Sequence, residues 1–127
     1  MEARINKRKM VAYWLATLFV AVPGALSGGM DLLHVQPLFG IMLHLGYPGY
    51  FATILGLWKV AGAVVLVAPR SPLVKEWAYA GMFIDYSSAV FSHAASGDGP
   101  RTIANPAFAI LALVVSWYLR PPSRRLA

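Results

Sequence analysis

Two apolar runs of membrane-spanning length each carry one ionisable residue near the middle. The first, roughly residues 49–68, contains Lys59, and the second, roughly 74–93, contains Asp85. A helix needs about 20 mostly apolar residues to cross a bilayer. A charge at that depth is expensive unless it faces the protein interior and finds a partner there. These two residues therefore constrain the fold more than any others. The expectation is that Lys59 and Asp85 mark the middle of a small membrane protein and face one another. Composition supports the setting: 13% of the 127 residues are charged, against about 25% in ordinary soluble domains, and the mean hydropathy is +0.59.

Two further runs complete the pattern. Residues 10–30 follow a basic start (Arg4, Lys7, Arg8, Lys9) and are almost wholly apolar. A secretory signal would show a shorter apolar core, so this run reads as a span, with Pro23 expected to kink it. Residues 103–119 form the last span, stopped by Pro121 and Pro122. Between the first two spans, residues 31–48 are too short to cross as a helix. Phe39, Ile41, Met42 and Leu45 suggest a short helix lying at the interface. The fold class expected is an all-α integral membrane protein, a single domain over residues 1–127, built as a four-transmembrane-helix bundle with spans at about 10–30, 49–68, 74–93 and 103–119.

Counting Lys and Arg sets the orientation. Nine lie on one side: four at the N-terminus, Arg70 and Lys75 in the second connection, and Arg120, Arg124 and Arg125 in the tail. Arg101 alone lies on the other side. The positive-inside rule then places both termini in the cytoplasm, of a bacterial inner membrane. Basic residues at the ends of apolar runs, rather than on one amphipathic face, argue against nucleic-acid binding. The absence of cysteine excludes disulfides, thiolate catalysis and Cys-based metal sites.

Each span offers small or polar residues at helical spacing, and helices in lipid associate through such faces. The sets are Thr17, Gly24, Gly28 and Asp31; Ala52, Gly56, Lys59 and Ala63; Ala78, Gly81, Asp85, Ser88 and Ser92; and Asn105, Ala109, Ala112 and Ser116. Gly24 and Gly28 form a GxxxG pair, which serves packing inside one chain or a homodimer contact. The polar faces should line the interior, while Leu, Val, Ile and Phe meet the lipid bilayer.

The candidate catalytic residues are Asp85, Lys59, Glu76 and His93. Lys59 and Asp85 lie about 16 Å and 12 Å from the outer ends of their spans at 1.5 Å per residue. They can hold two helices in register, bind a polar ligand head or move a proton. Glu76 fits a solvated cap near a helix N-terminus, or an acid or base. His34, His44 and His93, with Asp31 and Asp98, map to the outer side. None has the spacing of a metal motif, so hydrogen bonding is expected of them and no metal. No nucleophile triad, phosphate loop or dinucleotide fingerprint is present.

These segments resemble the DoxX-like family of small bacterial membrane proteins. The resemblance rests on Leu45-Gly46-Tyr47-Pro48, Leu57-Trp58-Lys59-Val60-Ala61-Gly62-Ala63, Pro69, Lys75-Glu76-Trp77-Ala78-Tyr79-Ala80-Gly81, Ser92-His93 and Gly97-Asp98. It covers roughly residues 13–119. It implies a four-helix membrane protein, and, from the founding member, a subunit of a redox system that handles quinone. A lipophilic ligand, a quinone among the candidates, would contact Lys59, Asp85 and His93, with a redox protein as partner. Two alternatives stand beside it. One is a non-enzymatic scaffold or assembly factor; the other is a membrane-embedded isomerase or hydrolase using Asp85 or Glu76.

Overall fold

The computed structural model describes residues 7–124; Arg4 and Arg125, counted above for orientation, lie outside the described residues. Five α-helices follow one another: α1 Lys7–Leu32, α2 Leu38–His44, α3 Gly49–Val67, α4 Pro72–Ala95 and α5 Pro100–Tyr118, with a 3-10 turn at Pro122–Arg124. Pro72 and Pro100 each stand in the first turn of their helix, where the missing N–H would be unpaired anyway. The expected short helix between the first two spans is α2. The four long helices form a ring in the order α1, α3, α4, α5, in which α1 and α4 face each other across the centre.

Short connections make neighbouring helices run in opposite directions, which gives the bundle two distinct ends. One holds the start of α1, the tight turn from α3 to α4 and the end of α5; it is the basic end. The other holds α2, the start of α3 and the α4–α5 turn; it is the histidine end. The α3–α4 turn bends through Arg70 and Ser71, both in the left-handed region, which is uncommon for residues with a Cβ.

Side chains are distributed inside out relative to a water-soluble protein. Leu15, Leu26, Trp58, Trp77, Ile84, Phe91 and Phe108 stand exposed on the outside, while Thr17, Asp31, Lys75 and Ser116 are buried. Helices α1, α3 and α5 are long and apolar enough to cross a membrane. Helix α4 has 24 residues, long enough to cross, but it carries Lys75, Glu76 and Asp85.

The interior faces of α1 and α3 are those expected from the spacing of small residues: Thr17, Gly24, Gly28 and Asp31, then Ala52, Gly56 and Ala63, are buried. On α4 the expectation fails. Its buried positions are Lys75, Tyr79 and Met82, whereas Gly81 and Ser88 are exposed. The reason is volume and polarity together. Met82 fills the space left by Gly24 and Gly62, and the long polar side chains of Lys75 and Tyr79 reach partners in the centre. On α5, Ser116 is buried as expected but Asn105 is exposed.

Candidate functional site

The closest approach in the bundle is between α1 and α3. A Cβ added to Gly56 would stand 2.5 Å from the Gly28 carbonyl oxygen, and one added to Gly28 would stand 2.8 Å from the Lys59 Cβ. Backbone therefore lies on backbone, and only glycine fits at either position. Gly28 is thus consumed inside the chain, and Gly24, its partner in the GxxxG pair, faces Met82 and Tyr86. Asp31 follows Gly28 by three residues, and Lys59 follows Gly56 by three. Side chains on a helix lean toward its N-terminus, which for α3 is the histidine end, where Asp31 lies. Lys59 Nζ accordingly donates to Asp31 Oδ2 at 3.0 Å. Asp31 is 1% exposed, so the pair is shielded from solvent and each charge needs the other.

This differs from the expected meeting of Lys59 with Asp85. Helices α3 and α4 pack least extensively of the four neighbouring pairs, and the tight α1–α3 crossing captures the lysine first. Asp85 is half-buried and lies within electrostatic range of both Lys59 and Asp31. It makes no hydrogen bond or ion pair within the described residues. Two carboxylates thus share one ammonium, and the surplus carboxylate is the one with no hydrogen-bond partner.

The other candidate residues are held elsewhere. His93 Nδ1 and His44 Nε2 bond the two oxygens of Asp98 at 2.7 and 2.9 Å. These two hydrogen bonds, His93 first, hold the Asp98 carboxyl below its ordinary value of 3.8. Nearby, Tyr47 and Ser92 share a hydroxyl–hydroxyl bond of 2.6 Å. His34 stands apart, bonded to Thr53 at 2.9 Å and stacked on Phe39. Among the described residues no group of three or more His, Cys, Asp or Glu side chains could hold a metal ion.

Glu76 is at the opposite end, and it is not the solvated cap that its position suggested. It pairs with Arg120 and accepts from Trp117 Nε1 at 3.3 Å, because α5 brings both partners against the first turn of α4. Glu76, Asp85 and His93 are therefore spread along α4 over 17 residues, or about 25 Å at 1.5 Å per residue. They cannot act as one site.

Several residues that matter gave little sign of it. The carbonyls of Val65, Leu66, Val67 and Ala68, at the end of α3, are all met by cations. Lys75 Nζ donates to Val65 O at 2.5 Å and to Ala68 O, and Arg124 donates to Leu66 O at 3.1 Å and Val67 O at 3.4 Å. These are orphan carbonyls of a helix C-terminus, where positive charge is favoured. Beneath them Ser116 Oγ joins Thr17 Oγ1 at 2.6 Å and Tyr79 OH at 2.7 Å. The signal for Lys75 was its register with Tyr79 and Met82, at i, i+4 and i+7; for Arg124 there was none beyond its charge.

Two grooves mark the surface. One, of about 270 Å³, runs between α4 and α5 near the basic end and includes Glu76, Tyr79 and Trp117. The second is a shallow apolar depression along the start of α1, from Lys7 to Leu15. Neither reaches Lys59 or Asp85.

A profile of the DoxX-like family matches residues 12–115. The chain belongs to the DoxX-like family. No curated protein and no solved structure matches it. The match spans α1 through most of α5, so the Gly28–Gly56 crossing, the Asp31–Lys59 pair and Asp85 all fall within the DoxX-like region.

Proposed function

We propose that this DoxX-like membrane protein crosses a bacterial inner membrane four times, with both termini in the cytoplasm, and binds a lipophilic ligand as a small or accessory subunit of a redox system. The observation that carries the proposal is Asp85, a half-buried carboxylate midway along α4 with no hydrogen-bond partner. Every neighbouring polar group that could compete has one: Lys59 is on Asp31 and His93 is on Asp98. The available group is thus an acceptor. A quinone carbonyl, itself an acceptor, gains nothing from it, whereas the hydroxyl of a quinol donates to it. The loose α3–α4 seam gives a lipid-dissolved molecule its route.

The test is binding of a quinol and its oxidised quinone to purified protein in detergent. The reduced form should bind more tightly, and Asp85→Leu should lose that preference while remaining folded, since Asp31–Lys59 is untouched. Equal indifference of the wild type to both forms would end the proposal.

A second reading, a non-enzymatic scaffold, draws on the Asp31–Lys59 pair, whose partners satisfy each other as a structural element would. Asp85→Leu would then leave complex assembly unchanged. An isomerase or hydrolase needs an enclosed pocket against its acid, and neither groove reaches Asp85.

A further inference from the structure

The groove between α4 and α5 faces outward, toward the bilayer in the reading above. Its floor is Tyr79 and Leu113, both buried; Ala80, Phe83, Val114 and Trp117, all exposed, form its walls. Small Ala80 opposite the wider α5 side chains is what leaves the gap. From Glu76 to Phe83 the groove runs about 10 Å along α4, inward from the basic end. Its mouth is charged. Arg120 lies 4.5 Å over the Trp117 ring and 5.9 Å from the Tyr79 ring centroid, and pairs with Glu76. Arg120 Nε is buried without a hydrogen-bond partner. Beside this pair stand Lys75 and Arg124, whose donors serve α3 but whose charges remain. Three cations against one carboxylate leave the mouth positive.

We infer that this groove seats one acyl chain of an anionic phospholipid, with its phosphate on Arg120. An apolar furrow that deepens toward the membrane centre suits a hydrocarbon chain. A guanidinium with free N–H groups at the interface suits a phosphodiester, and basic sites between membrane helices attract anionic headgroups. The site is distinct from Asp85, which lies on the opposite flank of α4, toward α3.

The experiment is native mass spectrometry of the full chain released from detergent with phosphatidylglycerol or phosphatidylcholine of matched chains. Wild type should retain phosphatidylglycerol several-fold more than phosphatidylcholine. Ala80→Phe, which fills the furrow and leaves Arg120–Glu76 intact, should lose retention of both. Arg120→Gln, checked for folding by circular dichroism, should keep the chain but lose the preference; if it does not fold, Ala80→Phe decides alone. Equal retention of the two lipids by wild type, or undiminished retention by Ala80→Phe, overturns the inference.

Discussion

The two ends of the bundle are closed by different chemistry. At the basic end, Lys75 and Arg124 cover the last carbonyls of α3, and Arg124 also lies 4.6 Å over the Trp14 ring. These bonds tie chain segments on either side of the bundle to one helix terminus. At the histidine end, a single carboxylate, Asp98, joins α2 to α4 through two imidazoles. The first arrangement is buried and satisfies backbone groups that have no other partner. The second is at the surface, where water can replace each bond. The basic end should therefore carry stability, and the histidine end should carry local order that acid can release.

Four outcomes would break or sharpen that contrast. Lys75→Met should have the largest effect, because it strips two carbonyls of their cation; at roughly 1–3 kcal/mol for each buried group left unpaired, a large drop in thermal midpoint in detergent is expected. A midpoint unchanged from wild type would remove the distinction between the ends. Ser116→Ala comes next. It leaves Thr17 and Tyr79 without their shared partner, and a loss of about 1–3 kcal/mol should appear in the same melt. Asp98→Asn should leave the midpoint nearly unchanged but speed hydrogen exchange in residues 38–47, since it cuts the tie between α2 and α4; global destabilisation would contradict the assignment.

The smallest effect is the pH dependence of that tie. The folded-state value of Asp98 lies below the ordinary 3.8, so the unfolded chain takes up its proton first as pH falls. The contribution is fully present above about 3.8 and is lost as pH drops through the lower folded value. Exchange in α2 measured from pH 6 to pH 3 should rise only in the acid part of that range in wild type, and should show no such step in Asp98→Asn.

Much of the fold could be read in the residues because membrane helices announce themselves by length and apolarity. The faces of α1 and α3 were also legible, since Gly28 and Gly56 permit an approach that no other residue allows. The pairing of Lys59 was not. Asp31 sits at the end of its span, where a carboxylate reads as an interfacial residue, and only the depth of the crossing brings the lysine to it. The orientation of α4 was misread for a related reason. Small residues signal the interior only where a neighbouring backbone approaches closely, and around Gly81 no atom does: nothing lies within 4 Å of the place a Cβ would take. The cations at the end of α3 were hidden by their other property, since any basic residue near a span already has an explanation in topology.

The Gly28–Gly56 crossing bears on the order in which the chain is made. Asp31 and Lys59 both belong to the first half of the sequence, and domains assemble from the N-terminus during synthesis. The hairpin of α1 and α3 can cancel its own two charges before α4 has left the ribosome. What enters the bilayer first is then an electrically balanced pair of helices, and Asp85 arrives later, to a lysine already taken.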